Sequence, residues 1–192
     1  MKIAFQNVEM AYDGKTVFSN LTYTFCLTGI TALMGESGCG KTTLLRLLCG
    51  LEVPKNGEIV GMPQKYTFMF QENRLLPWAT VLENVAAVCN VPTAERWLAA
   101  VGLSQEANSL PSALSGGMQR RVALARALAH QSDVLLLDEP FKGLDVELRS
   151  KMIQLLQEQA QLRPILFVTH DPCEAQECGA KVINFQQIIR NV

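Results

Sequence analysis

Gly35-Glu36-Ser37-Gly38-Cys39-Gly40-Lys41-Thr42 is the stretch that decides the fold, together with what flanks it. The apolar run Ile30 to Met34 precedes it, and residues 43–48 follow with helical spacing. A strand, a glycine-rich turn and a helix form a phosphate-binding βα unit, and the stretch fits the pattern G-x-x-x-x-G-K-[ST]. The sequence therefore predicts a phosphate-binding loop, and the alternative is a glycine-rich turn that binds nothing.

The residue types of this loop suit a polyphosphate. Glycines allow consecutive backbone N–H groups to converge on phosphate oxygens, and the N-terminus of the following helix favours the same anion. We expect Lys41 to reach the outer phosphates and Thr42 to place its hydroxyl on Mg²⁺. The other loop positions expected at the bound phosphates are Gly35, Glu36, Ser37, Gly38, Cys39, Gly40 and Thr43.

Two carboxylates follow the continuous apolar run Val134 to Leu137. Such a run is typical of a parallel strand buried on both faces, and ligands of α/β sheets bind at the carboxyl ends of strands. We expect Asp138 to hold Mg²⁺ through water and Glu139 to act as the general base for an attacking water. The alternative is a solvated acidic turn after a core strand.

The rest of the chain alternates strands with helices, which predicts an α/β fold, and its length predicts one domain. The interval 72–113 differs, because its apolar spacing favours two short helices broken at Pro92 and Gly102. We interpret it as an insertion. Further strands are predicted at 3–5, 17–18, 21–27, 66–70, 165–168 and 181–185, and further helices at 117–129 and 144–160.

Composition excludes several classes of protein. The net charge of -1 argues against a nucleic-acid partner. The sequence shows neither a secretory signal nor an apolar run long enough for a membrane span. The six cysteines are therefore expected to be reduced thiols. A disulfide or metal pair between Cys173 and Cys178 is the alternative, although their spacing fits no zinc pattern.

Leu114-Ser115-Gly116-Gly117-Met118-Gln119-Arg120-Arg121 is the most specific segment. Ser115 precedes two glycines at a predicted helix start, so its hydroxyl and the nearby N–H groups form a second anion-binding helix terminus. The alternative is an ordinary N-capped helix after a Gly-Gly turn.

This segment resembles the signature motif of the nucleotide-binding subunits of ABC transporters, and it precedes the acidic strand as it does in that family. The resemblance implies one ABC ATPase domain over 1–192: a P-loop NTPase core (1–71 and 114–192) with a mainly parallel sheet and an N-terminal antiparallel part, and a helical subdomain (72–113). It also implies ATP and Mg²⁺ as cofactors. Two copies would pack head to tail, each ATP lying between Lys41 of one chain and Ser115, Gly116 and Gly117 of the other.

Four further positions match the family residue by residue. The resemblance implies that Tyr12 stacks on adenine, that Gln71 touches Mg²⁺ and the attacking water, and that His170 contacts the γ-phosphate. Asp145 would lie at the dimer interface. The catalytic set is then Glu139, His170, Gln71 and Lys41, and the metal set is Thr42, Gln71 and Asp138. The alternatives are that Tyr12 is a strand-edge aromatic and Gln71 an ordinary loop residue. His170 would then be a structural histidine and Asp145 the N-cap of the following helix.

The segment Phe70 to Val85 resembles the corresponding region of importers for nitrate, aliphatic sulfonates and taurine. Its apolar cluster Leu75-Leu76-Pro77-Trp78 is expected to contact a helix of a transmembrane permease, with local packing as the alternative. A solute-binding protein would act indirectly, and the chain would lie at the cytoplasmic face of the membrane. The family usually has Ser-Ala where this chain has Lys142-Gly143, a difference close to the dimer interface.

The function predicted from the resemblance is ATP binding and hydrolysis that drives a membrane permease, with import of a small solute. The first alternative is a soluble ABC ATPase that is not part of a transporter. A P-loop kinase or GTPase would need no LSGG segment, and an inactive binding cassette would not need Glu139 and His170. The transported solute is not encoded in these motifs.

Overall fold

The computed structural model describes residues 1–190 and shows two sheets with seven α-helices. The strands are β1 (Lys2–Tyr12), β2 (Lys15–Cys26), β3 (Ile30–Met34), β4 (Asn56–Val60), β5 (Tyr66–Met69), β6 (Val134–Asp138), β7 (Ile165–Thr169) and β8 (Lys181–Asn184). The helices are α1 (Lys41–Leu48), α2 (Val81–Ala86), α3 (Val91–Ala100), α4 (Gly116–Ala129), α5 (Val146–Ala160), α6 (Pro172–Glu177) and α7 (Phe185–Arg190). Two short 3₁₀ turns lie at Ser104–Glu106 and Pro111–Ala113.

The larger sheet has five parallel strands in the order β5-β6-β7-β3-β8. Strands β6 and β7 are buried along their whole length, as their continuous apolar sequences predict. The smaller sheet is antiparallel, with β1 between β2 and β4. The predicted combination of a mainly parallel sheet, an N-terminal antiparallel part and an inserted helical segment is confirmed.

The apolar core forms on both faces of the parallel sheet. Alternate side chains of β6 point to opposite faces: Leu135 and Leu137 pack with α2 to α5, whereas Val134 and Leu136 pack with α1, α7 and the antiparallel sheet. Because the strands of this sheet are parallel, the carboxyl ends of β5, β6, β7 and β3 lie at one edge.

Polar side chains cap the helices where the sequence changes from loop to apolar spacing. Thr80 and Glu83 form a reciprocal capping box at α2, because the Thr80 hydroxyl accepts from Glu83 N and the Glu83 carboxylate accepts from Thr80 N. Asn90 caps α3, and Pro92 lies in the first turn of that helix. The predicted break at Pro92 is therefore the start of the second helix of the insertion.

Several predicted boundaries need correction. Phe185 begins α7 and does not end β8, because Asn184 Oδ1 accepts a hydrogen bond from Gln186 N at 3.0 Å and starts the turn. Helix α5 begins at Val146 because Asp145 caps it. Strand β4 and helices α6 and α7 were not predicted.

Cysteines and membrane spans complete the description. All six cysteines are free, so Cys173 and Cys178 form no disulfide. Within residues 1–190, none of the helices combines the length and apolarity that crossing a bilayer requires.

Candidate active site

The phosphate loop connects β3 to α1 and needs glycine at particular positions. Gly38 and Gly40 have φ angles of 77° and 108°, in the left-handed region that favours glycine. A Cβ on Gly40 would lie 2.8 Å from Val17 Cγ1, and a Cβ on Gly35 would lie 2.9 Å from Phe185 Cβ. The loop is therefore packed closely against β2 on one side and α7 on the other.

Lys41 lies inside the loop, with 8% of its surface exposed. Its ammonium donates to Gly35 O at 2.8 Å and to Glu36 O at 2.5 Å, and it lies 3.7 Å from Cys39 Sγ. Because these contacts curl the side chain back over the loop, its charge lies among the backbone groups that would surround a phosphate.

Oxygen donors suited to Mg²⁺ meet beside this loop. Thr42 Oγ1 donates to Asp138 Oδ2 at 2.7 Å, and Asp138 is buried at the end of β6. Burial raises the pKa of Asp138, aided by the charge of Glu139, while the Thr42 hydrogen bond and nearby cations oppose the rise. Residues 1–190 contain no cluster of three or more metal-ligating side chains. One carboxylate and one hydroxyl nevertheless fit Mg²⁺, which takes its remaining ligands from phosphates and water.

Glu139 lies at the centre of a group of polar side chains. Gln71 Nε2 donates to Glu139 Oε2 at 3.1 Å, Lys142 Nζ lies 3.1 Å from the same oxygen, and His170 Nδ1 lies 3.5 Å from Oε1. Burial raises the pKa of Glu139, but its contacts with Lys142, His170 and Gln71 outweigh burial and hold the pKa below its usual value. Glu139 is therefore ionised at neutral pH and able to accept a proton.

One cavity of about 350 Å³ brings half of the predicted residues together. Its lining includes Ser37, Gly38, Gly40, Lys41, Thr42, Thr43, Gln71, Asp138 and Glu139. They come from three segments of the chain, and the common edge of the parallel sheet accounts for their convergence. His170 follows β7 and joins this group through its contact with Glu139.

Other predicted residues lie away from the cavity lining. Tyr12 ends β1 and is 37% exposed. Ser115 caps α4 by accepting from Met118 N at 3.3 Å, and Gly116 and Gly117 form the first turn of that helix. Asp145 caps α5 by accepting from Leu148 N at 2.9 Å.

The start of α4 is nevertheless close to the turn that follows β6. A Cβ on Gly117 would lie 3.1 Å from Gly143 O. The glycines of the signature segment and the Lys142-Gly143 turn therefore lie side by side.

Two residues at the site were not assigned a role from the sequence. Arg120 donates to the backbone carbonyls of Gln71 and Glu139, and Lys142 contacts the Glu139 carboxylate. The Lys142-Gly143 pair, in place of the usual Ser-Ala, indicates that this turn differs from the corresponding turn of the family. Arg120 carried no such signal, because the backbone carbonyls it binds have no signature in sequence.

Comparison with known proteins gives consistent matches. Residues 18–142 match the family described as "ABC transporter". The aliphatic sulfonates import ATP-binding protein SsuB 3 of Paraburkholderia xenovorans is 43% identical over 189 residues, covering 95% of this chain and 76% of that protein. A protein of the same name from Pseudomonas syringae pv. tomato is 41% identical over 197 residues, covering 96% and 73%.

Solved structures match over almost the whole chain. The ATP-binding cassette MJ0796, in a dimeric post-hydrolysis state bound to ADP and Pi, gives a TM-score of 0.83 at 28% identity, covering 95% of this chain and 93% of that one. A second dimeric structure of the same cassette, described as a bacterial ABC transporter cassette, gives the same values.

Proposed function

The chain belongs to the ABC transporter family, and from this premise we propose how its residues share the work of ATP hydrolysis. It is the ATP-binding, ATP-hydrolysing subunit of a transporter, with Mg²⁺ as cofactor, a dimer as its working form and a membrane permease as its partner. The relatives support this role over a soluble ABC ATPase outside any transporter.

The convergence of the phosphate loop with Gln71, Asp138 and Glu139 in one cavity carries the proposal. Lys41 exchanges its loop carbonyls for oxygens of the outer phosphates, because its ammonium already lies within the loop. Thr42 and Asp138 would hold Mg²⁺, with Gln71 as a further ligand. When bound, the ion would supply charge neutralisation for the phosphates.

Glu139 is the general base. It accepts a proton as water attacks the terminal phosphorus and the bond to the ADP oxygen breaks, which leaves ADP and phosphate. Gln71 and His170 contact the two carboxylate oxygens and orient that carboxylate. Tight positioning matters here because catalysis of phosphoryl transfer consists mostly of placement and charge stabilisation.

The residues away from the cavity are assigned to the dimer. Ser115, Gly116 and Gly117 form a helix N-terminus that suits the phosphates bound by a second copy of this chain. Asp145 lies in the adjoining turn, and Tyr12 stacks on the adenine. The whole chain is one ABC ATPase domain, and residues 72–113 are its helical subdomain, within which α2 packs against α3.

Residues 71–78 provide the contact with the permease. Trp78 follows Gln71 by seven residues and is 77% exposed, and exposed aromatic residues are frequent anchors at interfaces. The permease contact places the chain at the cytoplasmic face of the membrane, and a solute-binding protein acts indirectly. The names of the relatives support a small anionic solute of the aliphatic sulfonate class.

Hydrolysis of ATP by the purified chain tests the catalytic assignment. We expect Glu139→Gln to lower phosphate release by at least about 100-fold, the effect typical of losing a general base, while ATP binding persists. Glu147→Gln is the matched control, since Glu147 is an exposed glutamate of α5 whose carboxylate pairs with Lys151. Rapid turnover by Glu139→Gln would exclude Glu139 as the base.

Uptake of a radiolabelled aliphatic sulfonate by cells that express the complete transporter tests the permease contact. Trp78→Ala should lower uptake while the purified chain hydrolyses ATP at the wild-type rate, because Trp78 lies outside the cavity. Normal uptake by Trp78→Ala would contradict the assignment of residues 71–78.

A further inference from the structure

Arg120 is a buried cation in the second turn of α4, with 3% of its surface exposed. Its Nη1 donates to Phe70 O at 2.8 Å and to Gln71 O at 3.0 Å. Its Nη2 donates to Glu139 O at 2.6 Å and also to Asp138 O. One guanidinium therefore binds four backbone carbonyls that belong to two segments of the active site.

These carbonyls lie where two neighbouring strands separate. The parallel pairing of β5 with β6 runs from Tyr66 and Val134 to Met69 and Leu137, and it ends there. Phe70 follows the last residue of β5, and Asp138 follows Leu137 in β6. The Phe70 carbonyl accepts from Nη1 of Arg120, and the Asp138 carbonyl accepts from Nη2. Arg120 thus continues the connection between the strands at the point where the backbone ladder stops.

Both segments held in this way carry catalytic side chains. Gln71 Nε2 donates to Glu139 Oε2 at 3.1 Å. The backbone of Glu139 has a left-handed φ of 49°, a conformation that residues other than glycine rarely adopt. Such a conformation persists when surrounding contacts hold it. The hydrogen bond from Arg120 to the Glu139 carbonyl is one such contact.

The fork shape of arginine suits this task better than another cation. The guanidinium is planar and has five donors in a fixed geometry, whereas lysine offers a point charge on a flexible stem. Burial lowers the pKa of Arg120 to about 10, with the charges of Asp138 and Glu139 opposing the effect, so the group remains protonated at neutral pH.

Helix α4 connects this fork to the dimer surface. Ser115 caps the same helix, and the helix rises about 1.5 Å per residue, so Arg120 lies roughly 7.5 Å along the axis from that cap. We propose that Arg120 is a positioning residue: it sets the spacing of Gln71 and Glu139 and ties both to the helix end that meets the second copy's nucleotide. The proposal rests on the roles assigned above to Glu139 and Ser115.

Steady-state hydrolysis by Arg120→Gln and Arg120→Lys tests the proposal. We expect Arg120→Gln to lower kcat about 100-fold, the effect of displacing a catalytic group by about 1 Å, and to change KM for ATP by less than about threefold. Arg120→Lys keeps the charge without the fork, so its kcat should be about tenfold higher than that of Arg120→Gln and about tenfold below the wild-type value.

Arg163→Gln is the matched control. Arg163 is another arginine whose guanidinium binds carbonyls of the α4 region, those of Leu128 and His130, but at the end of the helix remote from the cavity. We expect this variant to lower the Tm as Arg120→Gln does while its kcat stays at the wild-type value. A drop in Tm without a drop in kcat would show a purely structural role.

The outcomes distinguish this proposal from the proposed function. A folded Arg120→Gln or Arg120→Lys with wild-type kcat overturns the positioning role, and so does a loss confined to KM. If Arg120→Gln does not fold, Arg120→Lys alone decides. Glu139→Gln is measured in the same assay, and wild-type hydrolysis by that variant would overturn the base assignment whatever Arg120 does.

Discussion

Replacing Gly40 with alanine tests how the phosphate loop is held. Gly40 is the N-cap residue of α1, with φ 108° and ψ 8°. An alanine Cβ there would lie 2.8 Å from Val17 Cγ1 and 3.2 Å from Phe18 Cζ, against strand β2. Gly38 in the same loop provides the comparison, because its φ of 77° is also left-handed but a Cβ would meet nothing within 4 Å.

The expected magnitudes follow from these two environments. A left-handed backbone costs an L-residue about 1–2 kcal/mol, which is the minimum for both variants, and the φ of 108° at Gly40 lies further from the allowed region than the φ of 77° at Gly38, so backbone strain acts in the same direction as overpacking. Overpacking a close contact costs about 1–3 kcal/mol more, and this applies to Gly40→Ala alone because Phe18 is buried and cannot move freely. The free energy of unfolding should therefore be lower for Gly40→Ala than for Gly38→Ala by about 1–3 kcal/mol.

Urea denaturation of both variants without nucleotide measures this difference. Alanine also reduces the entropy of the unfolded chain, but equally in both variants, so that contribution cancels from the difference. Equal stability of the two variants would refute the close packing of Gly40 against β2.

Three further predictions concern the same site and its surroundings. Lys41→Met should weaken Mg-ATP binding by at least about 10-fold in a calorimetric titration, because a charge-assisted hydrogen bond contributes about 1.5–3 kcal/mol. The exposed Lys151→Met serves as its control, and unchanged affinity of Lys41→Met would contradict the loop assignment. Thr42→Ala should shift the Mg²⁺ requirement for hydrolysis to higher concentration, and an unshifted midpoint would remove Thr42 from the metal set. Cys178 should resist a maleimide at pH 8 while the exposed Cys173 reacts. Burial, aided by nearby carboxylates, raises the pKa of Cys178 to about 12, so its thiol stays protonated at that pH. Mass spectrometry of the labelled peptides measures the order, and faster labelling of Cys178 would contradict the prediction.

The parts of the fold that the sequence predicts are those with a local apolar signal. Strands β6 and β7 are continuous apolar runs, and α4 begins with two glycines directly after a capping serine. Strand β4 has no such signal, because most of its residues are exposed. It forms by pairing with β1, about 50 residues earlier in the chain, and pairing over that distance leaves no pattern in either segment.

The same distinction applies to the site. Lys41 and Thr42 belong to one contiguous loop, so their proximity to a phosphate follows from the pattern of that loop. The structure adds the contacts between segments: Gln71 with Glu139, and Arg120 with the backbone of both. Nothing in the order of the residues specifies these contacts, because they depend on how β5 and β6 lie side by side in the sheet.

Lys142, which stands where the family usually has serine, contacts a carboxylate of the candidate site. The family resemblance implies a position near the dimer interface for Lys142, whereas its contact with the Glu139 carboxylate is a finding of the structure. The pair forms because Glu139 and Lys142 are the ends of a tight turn, in which Lys142 N donates to Glu139 O at 3.2 Å.

The mass of Glu139→Gln in solution, measured by light scattering with and without Mg-ATP, shows whether two chains share the nucleotide. If each ATP is shared between the phosphate loop of one chain and Ser115 of another, blocking hydrolysis should leave the ATP-bound dimer intact. We expect a monomer without nucleotide and a dimer with it. A monomer in both conditions, with ATP bound at the phosphate loop, would contradict the shared site.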